Sequence, residues 1–140
     1  MSTPSPLLHA VDVSKRYGDV TGLDSLNLSV YARDVYCLLS ANGAGTTTTI
    51  NLFLSFTEPT GGVARIGGID VTVDPIGTKR RVACIPETVM LYRNLRGLEN
   101  LEYVATLASG APLAESTLRS HLLAAGLRND QCAQRVGAYA

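Results

Sequence analysis

Two segments near the start of the chain alternate between apolar and polar side chains. Residues 7–13 (LLHAVDV) alternate loosely, and residues 26–31 (LNLSVY) alternate more strictly. Because successive side chains of a β-strand point to opposite faces, a period of two predicts strands with one buried face and one solvated face. The KRYGD stretch between them predicts a turn at Gly18. We therefore expect an antiparallel element at the start of the chain.

Two later runs are apolar at every position. VYCLL (residues 35–39) leads directly into a glycine-rich loop, and VACI (residues 82–85) ends at Pro86. Continuous apolar runs are typical of central parallel strands that are covered on both faces. Between these runs, TTTINLFLSF predicts a helix from Thr47, and VARIGGIDV predicts two short strands around a diglycine turn.

Beyond Pro86 the apolar period changes from two residues to three and four. This spacing predicts two amphipathic helices, divided by a turn at SGAP (residues 109–112). The apolar positions are Leu95, Leu98, Leu101, Val104 and Leu107 in the first helix, and Leu118, Leu122, Leu123 and Leu127 in the second. The chain thus predicts an α/β protein in which a mixed sheet comes first and helices follow.

Composition limits the possible partners. The chain has 140 residues, the size of one modest domain, and 46% of them are hydrophobic, so part of its apolar surface is expected to need a partner. Twelve basic residues balance twelve acidic ones and are scattered along the sequence. This distribution gives no electrostatic support for a nucleic acid partner.

Cysteine usage and the N-terminus bear on location. Two of the three cysteines, Cys37 and Cys84, lie in the apolar runs, and Cys132 lies far from both. Their spacing matches no zinc or redox motif, so we expect reduced core thiols of a cytosolic protein. No run reaches the roughly 20 apolar residues needed to cross a bilayer, and MSTPSPLLHA lacks the features of a signal peptide. We therefore expect a cytoplasmic chain.

The stretch SANGAGTTTTI (residues 40–50) resembles a phosphate-binding loop in which two positions have changed. The usual pattern is Gly, four residues, Gly, Lys, then Ser or Thr, placed between a strand and a helix. Here Ser40 stands at the first glycine and Thr46 stands at the lysine, whereas Gly45 and Thr47 match the pattern. A plain polar turn between a strand and a helix is the alternative interpretation of this stretch alone.

Much of such a cradle is backbone, so binding is compatible with the sequence. N–H groups after the glycine turn and at the helix N-terminus can still face an anion, and the Thr47 hydroxyl can still reach Mg²⁺. Thr46 offers no cation to the β- and γ-phosphates, where each charge-assisted hydrogen bond contributes about 1.5 to 3 kcal/mol. Since phosphoryl transfer depends on positioning and charge stabilisation, we predict weak nucleotide binding with little or no turnover.

Four ordered motifs together resemble the ATP-binding subunit of an ABC transporter, particularly the bacterial exporter type. They are KRYG, the loop at residues 40–48 against the family's GPNGAGKTT, EPTGGVARIGGIDV, and IPETVMLYRNLRGLENL. The last is similar to the family's Q-loop and the start of its helical region. The resemblance spans nearly the whole chain and implies a P-loop NTPase fold of the ABC ATPase kind. It also implies a partial nucleotide-binding domain at residues 1–140, with the sheet and P-loop part at about residues 1–86 and the start of a helical subdomain at about residues 87–140.

The resemblance also implies roles for individual residues toward ATP and Mg²⁺. Tyr17 corresponds to the aromatic residue that stacks on adenine, Thr47 and Thr48 lie near the metal and the phosphate tail, and Glu87 replaces the Q-loop glutamine as a candidate Mg²⁺ ligand. The phosphate contacts fall on Asn42, Gly43, Ala44, Gly45 and Thr46. A half-exposed turn aromatic remains the alternative for Tyr17, and an ordinary solvated carboxylate remains the alternative for Glu87.

Other family elements have no counterpart in the sequence. It contains no Ser-x-Gly signature, no four apolar residues running into Asp-Glu, and no switch histidine. His9 lies in the first predicted strand and His121 in a late helix, so both are expected to be surface or core histidines. We therefore expect a domain incomplete at its C-terminal end and name no catalytic residue.

These observations leave three interpretations open. The first is an ATP-binding subunit of an export system, peripheral to the inner face of the membrane, with a transmembrane permease subunit and a second ATP-binding subunit as partners. The second is an inactive module that acts by packing against a membrane protein or an active homologue. The third is a fragment without independent function.

Overall fold

The computed structural model describes residues 5–39, 45–88 and 90–139. The chain divides into two compact units, Met1–Cys84 and Ile85–Ala140. The first unit holds the strands and two helices, and the second is helical.

A long antiparallel hairpin forms the centre of the first unit. Strand β1 (Leu8–Tyr17) pairs with β2 (Val20–Val30), and Gly18 has a φ of 58° in the turn between them. The predicted turn and antiparallel pairing are therefore confirmed. Strand β2 begins six residues earlier than the alternation predicted, because pairing with β1 satisfies the backbone of a stretch whose own pattern is weak.

Two short strands complete the sheet. Strand β3 (Gly61–Ile66) pairs with β1, and β4 (Ile69–Asp70) pairs with β3, giving the order β2-β1-β3-β4. All of the described pairings are antiparallel. The diglycine turn is confirmed between β3 and β4, where Gly67 and Gly68 both have positive φ.

Helix α1 (Thr46–Phe53) and the sheet share one core. Leu52 and Phe53 are buried with apolar side chains from β1, β2 and β3 and from the turn after β4. Ile50 lies on the outer side of the same helix and is 45% exposed. The buried set is Ala10, Val13, Leu23, Leu28, Leu52, Phe53, Ala64, Ile66 and Val71.

The two fully apolar runs do not form strands. Residues 35–39 and 82–85 are irregular, and Val35, Leu39 and Ile85 are 101%, 85% and 88% exposed. The prediction of central parallel strands is therefore wrong for this structure. A strand that is apolar on both faces needs neighbouring strands and covering helices, and the described residues supply neither.

The cysteine prediction fails for the same reason. Cys37 and Cys84 are exposed because the segments that carry them lie outside the sheet, whereas Cys132 is fully buried. All three cysteines are free thiols, as expected. Only Cys132 is also buried.

A short helix that the pattern did not predict follows β4. Helix α2 (Pro75–Lys79) begins after Asp74, whose carboxylate accepts a hydrogen bond of 2.8 Å from the Gly77 N–H. Proline at the first helical position and an aspartate cap are both favourable. Thr78 is buried on its inner face.

The second unit contains the two predicted helices and further short ones. Helix α3 (Gly97–Ser109) ends at Gly110, with a φ of 77°, and helix α4 (Glu115–Ala124) follows the turn. Helix α5 (Asn129–Ala133) and a 3₁₀ turn at Val136–Ala138 were not predicted. Both late helices are confirmed, but Val104 and Leu107 are 54% and 68% exposed.

Across residues 5–39, 45–88 and 90–139, no helix combines the length and the apolar content that a bilayer crossing requires.

Substitution of Leu52 is expected to show how strongly the first unit depends on its core. Leu52 is 1% exposed, and Leu→Ala changes at such positions cost about 2 to 5 kcal/mol because a cavity remains. We expect a loss of that size for Leu52→Ala in urea unfolding. Ile50→Ala, two residues earlier on the exposed face of the same helix, is the matched control and should change the free energy of unfolding by less than about 1 kcal/mol.

Candidate functional site

The N-terminus of α1 is fixed by a close backbone contact. Gly45 precedes the helix with a φ of 100°, a conformation that favours glycine. A Cβ at Gly45 would lie 2.8 Å from the carbonyl oxygen of Gly22 and 3.0 Å from Cδ1 of Leu23. Only glycine fits there, so the start of α1 packs directly on β2.

Tyr17 lies over the same part of β2. A Cβ at Gly22 would lie 2.8 Å from Cε2 of the Tyr17 ring and 3.4 Å from Oγ1 of Thr48. Tyr17, Gly22, Gly45 and Thr48 are thus neighbours, although they come from three segments of the chain. Tyr17 is 49% exposed.

The first turn of α1 suits an anion. It contains no acidic residue, and Gly45 at the N-cap has no side chain that could cap the N–H groups after it. Thr49 turns inward, where its hydroxyl and its N–H both bond the Gly45 carbonyl at 2.9 and 2.8 Å. Thr46 and Thr48 are half-buried and Thr47 is exposed. A helix N-terminus of this kind offers donors and a positive dipole end.

One cation lies beside the tyrosine. Lys15 Nζ is 5.2 Å from the centre of the Tyr17 ring and donates a 2.7 Å hydrogen bond to the Glu58 carbonyl. Lys15 is two residues from Tyr17 on β1, so both project from the same face of the strand. Its ammonium group is already engaged at the aromatic end of the site.

Lys15 and Gly22 were not among the residues predicted for the site. The signal for Lys15 was its strand spacing from Tyr17. The signal for Gly22 was an isolated glycine inside a strand, which often marks a close approach of another group. Neither signal could be used, because the alternation predicted β2 only from Leu26 and did not place Gly22 in a strand opposite Tyr17.

The structure brings together only part of the predicted site. Tyr17, Gly45 and Thr48 are neighbours, and Thr46 and Thr47 begin α1 beside them. Asn42, Gly43 and Ala44 lie outside the described residues. Glu87 is exposed and belongs to the second compact unit, so its joint role with Thr47 stays a prediction.

Few of the described side chains near the start of α1 could act as ligands of Mg²⁺. Within the described parts of the chain, no group of three or more histidine, cysteine or acidic side chains is placed to hold a metal. Protein Mg²⁺ sites commonly use one or two side chains together with substrate phosphates. The exposed Thr47 hydroxyl at the helix start therefore fits a nucleotide-bound Mg²⁺ rather than a resident one.

The second unit has an open cavity of about 200 Å³ near α3 and α4. Its cations are already paired, Arg96 with Glu99 at 2.8 Å and Arg119 with Glu115 at 2.8 Å. The hydrogen bonds from Arg96 hold the pKa of Glu99 below its ordinary value. These paired charges leave the α1 region as the better candidate for a polyanionic ligand.

Comparison with known proteins decides the family. The family model described as ABC transporter matches residues 23–139. The chain belongs to the ABC transporter family. The matched residues include β2 from Leu23 onward, α1 and the helices of the second unit, whereas Tyr17 and Gly22 lie before the matched segment.

Curated relatives of this ABC family chain include two drug-related proteins. The bacitracin transport ATP-binding protein BcrA of Enterococcus faecalis is 32% identical over 125 residues, which cover 89% of this chain and 40% of the relative. The daunorubicin/doxorubicin resistance ATP-binding protein DrrA of Streptomyces peucetius is 35% identical over 104 residues, covering 74% of this chain and 32% of the relative. The chain thus spans two-fifths or less of these relatives.

Solved structures confirm the fold class. An ATP-binding subunit of an ABC transporter is 30% identical, with a TM-score of 0.77 over 96% of this chain and 56% of that chain. A dimeric ATP-binding cassette bound to ADP and phosphate has a TM-score of 0.75 at 18% identity, over 95% of this chain and 63% of that one. The predicted α/β fold of the ABC ATPase kind is therefore confirmed.

Two glycine substitutions are expected to differ in their cost to stability, because one meets backbone and the other meets the Tyr17 ring. Gly45→Ala forces a side chain into positive φ and against a backbone oxygen, so we expect a loss of at least about 1 to 2 kcal/mol. Gly22→Ala meets only the movable Tyr17 ring, so the ring should turn aside at a cost below about 1 kcal/mol. Urea unfolding measures both costs. Equal losses for the two variants would contradict a movable ring.

Proposed function

We propose that this chain is the nucleotide-binding part of an ABC-type export system, and that it binds ATP with Mg²⁺ while being deficient in hydrolysis. The observation that carries the proposal is the placement of the Tyr17 ring beside Thr48 and the start of α1. An aromatic face and a helix N-terminus are what the base and the phosphates of one nucleotide require.

The adenine is assigned to the exposed face of Tyr17. Stacking of a base on an aromatic ring contributes about 1 to 3 kcal/mol and does not require a fixed hydrogen-bond pattern. Gly22 lies close to the ring, because its missing side chain leaves room for the ring against β2. Tyr17 acts here by holding the base, with no part in bond breaking.

The phosphates are assigned to the turn before α1 and to its first residues. Gly45 turns the chain with positive φ, and the donors that follow belong to Thr46, Thr47 and Thr48. Asn42, Gly43 and Ala44 complete the proposed cradle. Thr47 would hold Mg²⁺ through its hydroxyl, together with oxygens of the nucleotide phosphates. The role of Glu87 as a Mg²⁺ ligand stays a prediction from the family resemblance.

The proposed deficiency in hydrolysis follows from charge. Thr46 is neutral at the position where related loops carry lysine, and Lys15 is held near Tyr17 by the Glu58 carbonyl. Glu87 adds a negative charge where the family has glutamine. A transferring phosphoryl group would therefore meet less positive charge than its transition state requires.

The partners and the location belong to the same proposal. A transmembrane permease subunit and a second ATP-binding subunit would place the chain in the cytoplasm, peripheral to the inner face of the membrane. The names of BcrA and DrrA, which refer to bacitracin transport and to daunorubicin/doxorubicin resistance, favour an export system.

An inactive module that acts only by packing against a membrane protein or an active homologue is the second candidate. The exposed apolar runs at residues 35–39 and 82–85 favour it, because large exposed apolar stretches mark interaction surfaces. In that case the loop before α1 would be a remnant, and binding to a partner would not depend on nucleotide.

Calorimetric titration of ATP with Mg²⁺ is expected to detect weak binding by the native chain. Thr46→Lys should tighten it by about 1.5 to 3 kcal/mol, which is roughly tenfold to a hundredfold. Tyr17→Leu should weaken both forms, since the base loses its stacking partner. Thr46→Ala is the matched control for the lysine and should bind like the native chain. If neither the native chain nor Thr46→Lys binds, the second candidate replaces the proposal.

Release of phosphate from ATP is expected to stay at background for the native chain. Thr46→Lys should bind more tightly and still release no phosphate, because the added lysine supplies neither a catalytic carboxylate nor a signature loop from a second subunit. Steady release by the native chain that disappears with Thr47→Ala would show that the deficiency is wrong.

A further inference from the structure

The outer face of α2 carries apolar and basic side chains together. Ile76 precedes Lys79 by three residues and Arg80 by four, so the three lie on one side of the helix. The Arg80 N–H bonds the Ile76 carbonyl at 3.2 Å, which confirms this helical spacing. Thr78 is buried on the opposite side, so this face points to solvent.

Phe56 extends the same surface. Lys79 Nζ lies 5.3 Å from the centre of the Phe56 ring. Val73 is exposed in the turn that leads into α2. The apolar members Phe56, Val73 and Ile76 are 69%, 79% and 62% exposed. We call this set, with Lys79, Arg80 and Arg81, the α2 patch.

The charge of the α2 patch is positive although the whole chain has no net charge. Residues 79–81 are three consecutive cations, and no ion pair to them is formed within the described parts of the chain. The nearby carboxylate of Asp74 caps α2, and that of Asp70 bonds Thr72. The surface therefore favours an anionic partner.

We propose that the α2 patch binds the anionic lipid surface of a membrane. Isolated apolar side chains can enter the interface between headgroups and acyl chains, while neighbouring lysine and arginine contact the headgroups. A stable protein interface needs about 20 to 30 residues on each side, more than these six. The patch lies apart from the proposed nucleotide contacts in sequence, so the inference does not depend on nucleotide binding.

Flotation with lipid vesicles tests the proposal. The full chain is expected to float with vesicles of equal parts phosphatidylglycerol and phosphatidylcholine, and to stay behind with phosphatidylcholine alone. Binding should fall as salt is raised toward 1 M, where the screening length is about 3 Å. Absence of flotation with the anionic vesicles at low salt would overturn the proposal.

Paired variants give the test its specificity. Since each cation near an anionic membrane contributes about fivefold, Lys79→Ala with Arg80→Ala should weaken vesicle binding by roughly twentyfold or more. Arg93→Ala with Arg128→Ala removes the same net charge from the second unit and should leave binding unchanged. Ile76→Ser should weaken binding without changing its salt dependence. Circular dichroism checks that each variant is folded.

Two results would point elsewhere. Equal loss in both double variants would mean that net charge alone attracts the chain, which overturns the assignment to this patch. Binding of poly-glutamate that requires Lys79 and Arg80, without vesicle flotation, would assign the patch to an acidic protein and overturn the lipid proposal.

Discussion

The contact between Gly45 and the carbonyl of Gly22 determines the geometry of the candidate site. It leaves no room for a side chain on Gly45, so α1 begins directly against β2. Strand β2 pairs with β1, and β1 ends at Tyr17. The distance between the backbone of Tyr17 and the helix N-terminus is therefore set by backbone packing, which is less adaptable than a side-chain contact.

The first unit builds its core without its most apolar segments. The buried set comes from the antiparallel strands, α1 and Val71, whereas the apolar run at residues 35–39 stays in solvent. Burial of apolar surface contributes about 25 cal/mol per Å², so this run has a strong tendency to pair with whatever offers a strand or a face. An apolar run therefore does not form a strand by itself, because a strand also needs neighbouring strands to pair with.

Local signals predicted the parts of the fold that depend on local interactions. The hairpin turn at Gly18, the diglycine turn and the helix from about Thr47 were all foreseeable, since turns and caps involve residues close in sequence. Family resemblance assigned Tyr17 to the site. Its contact with Gly22 was not predicted, because that contact depends on how far β2 extends. The exposure of Cys37 and Cys84 could not be predicted either, since it depends on the absence of pairing partners among the described residues.

A lysine at position 46 would contribute both to phosphate binding and to stabilisation of the transition state, whereas Thr46 contributes no charge to either. In the proposed site, backbone donors and a helix dipole would recognise an anion whatever side chain follows Gly45, and the aromatic ring would recognise a base. A cation at Thr46 would add attraction to the terminal phosphates, and it would matter most when charge moves during bond breaking. Loss of that cation therefore weakens binding by a limited factor while removing much more of the stabilisation of the transition state. The proposed role of the chain, to respond to a nucleotide without consuming it, rests on this difference between binding and catalysis.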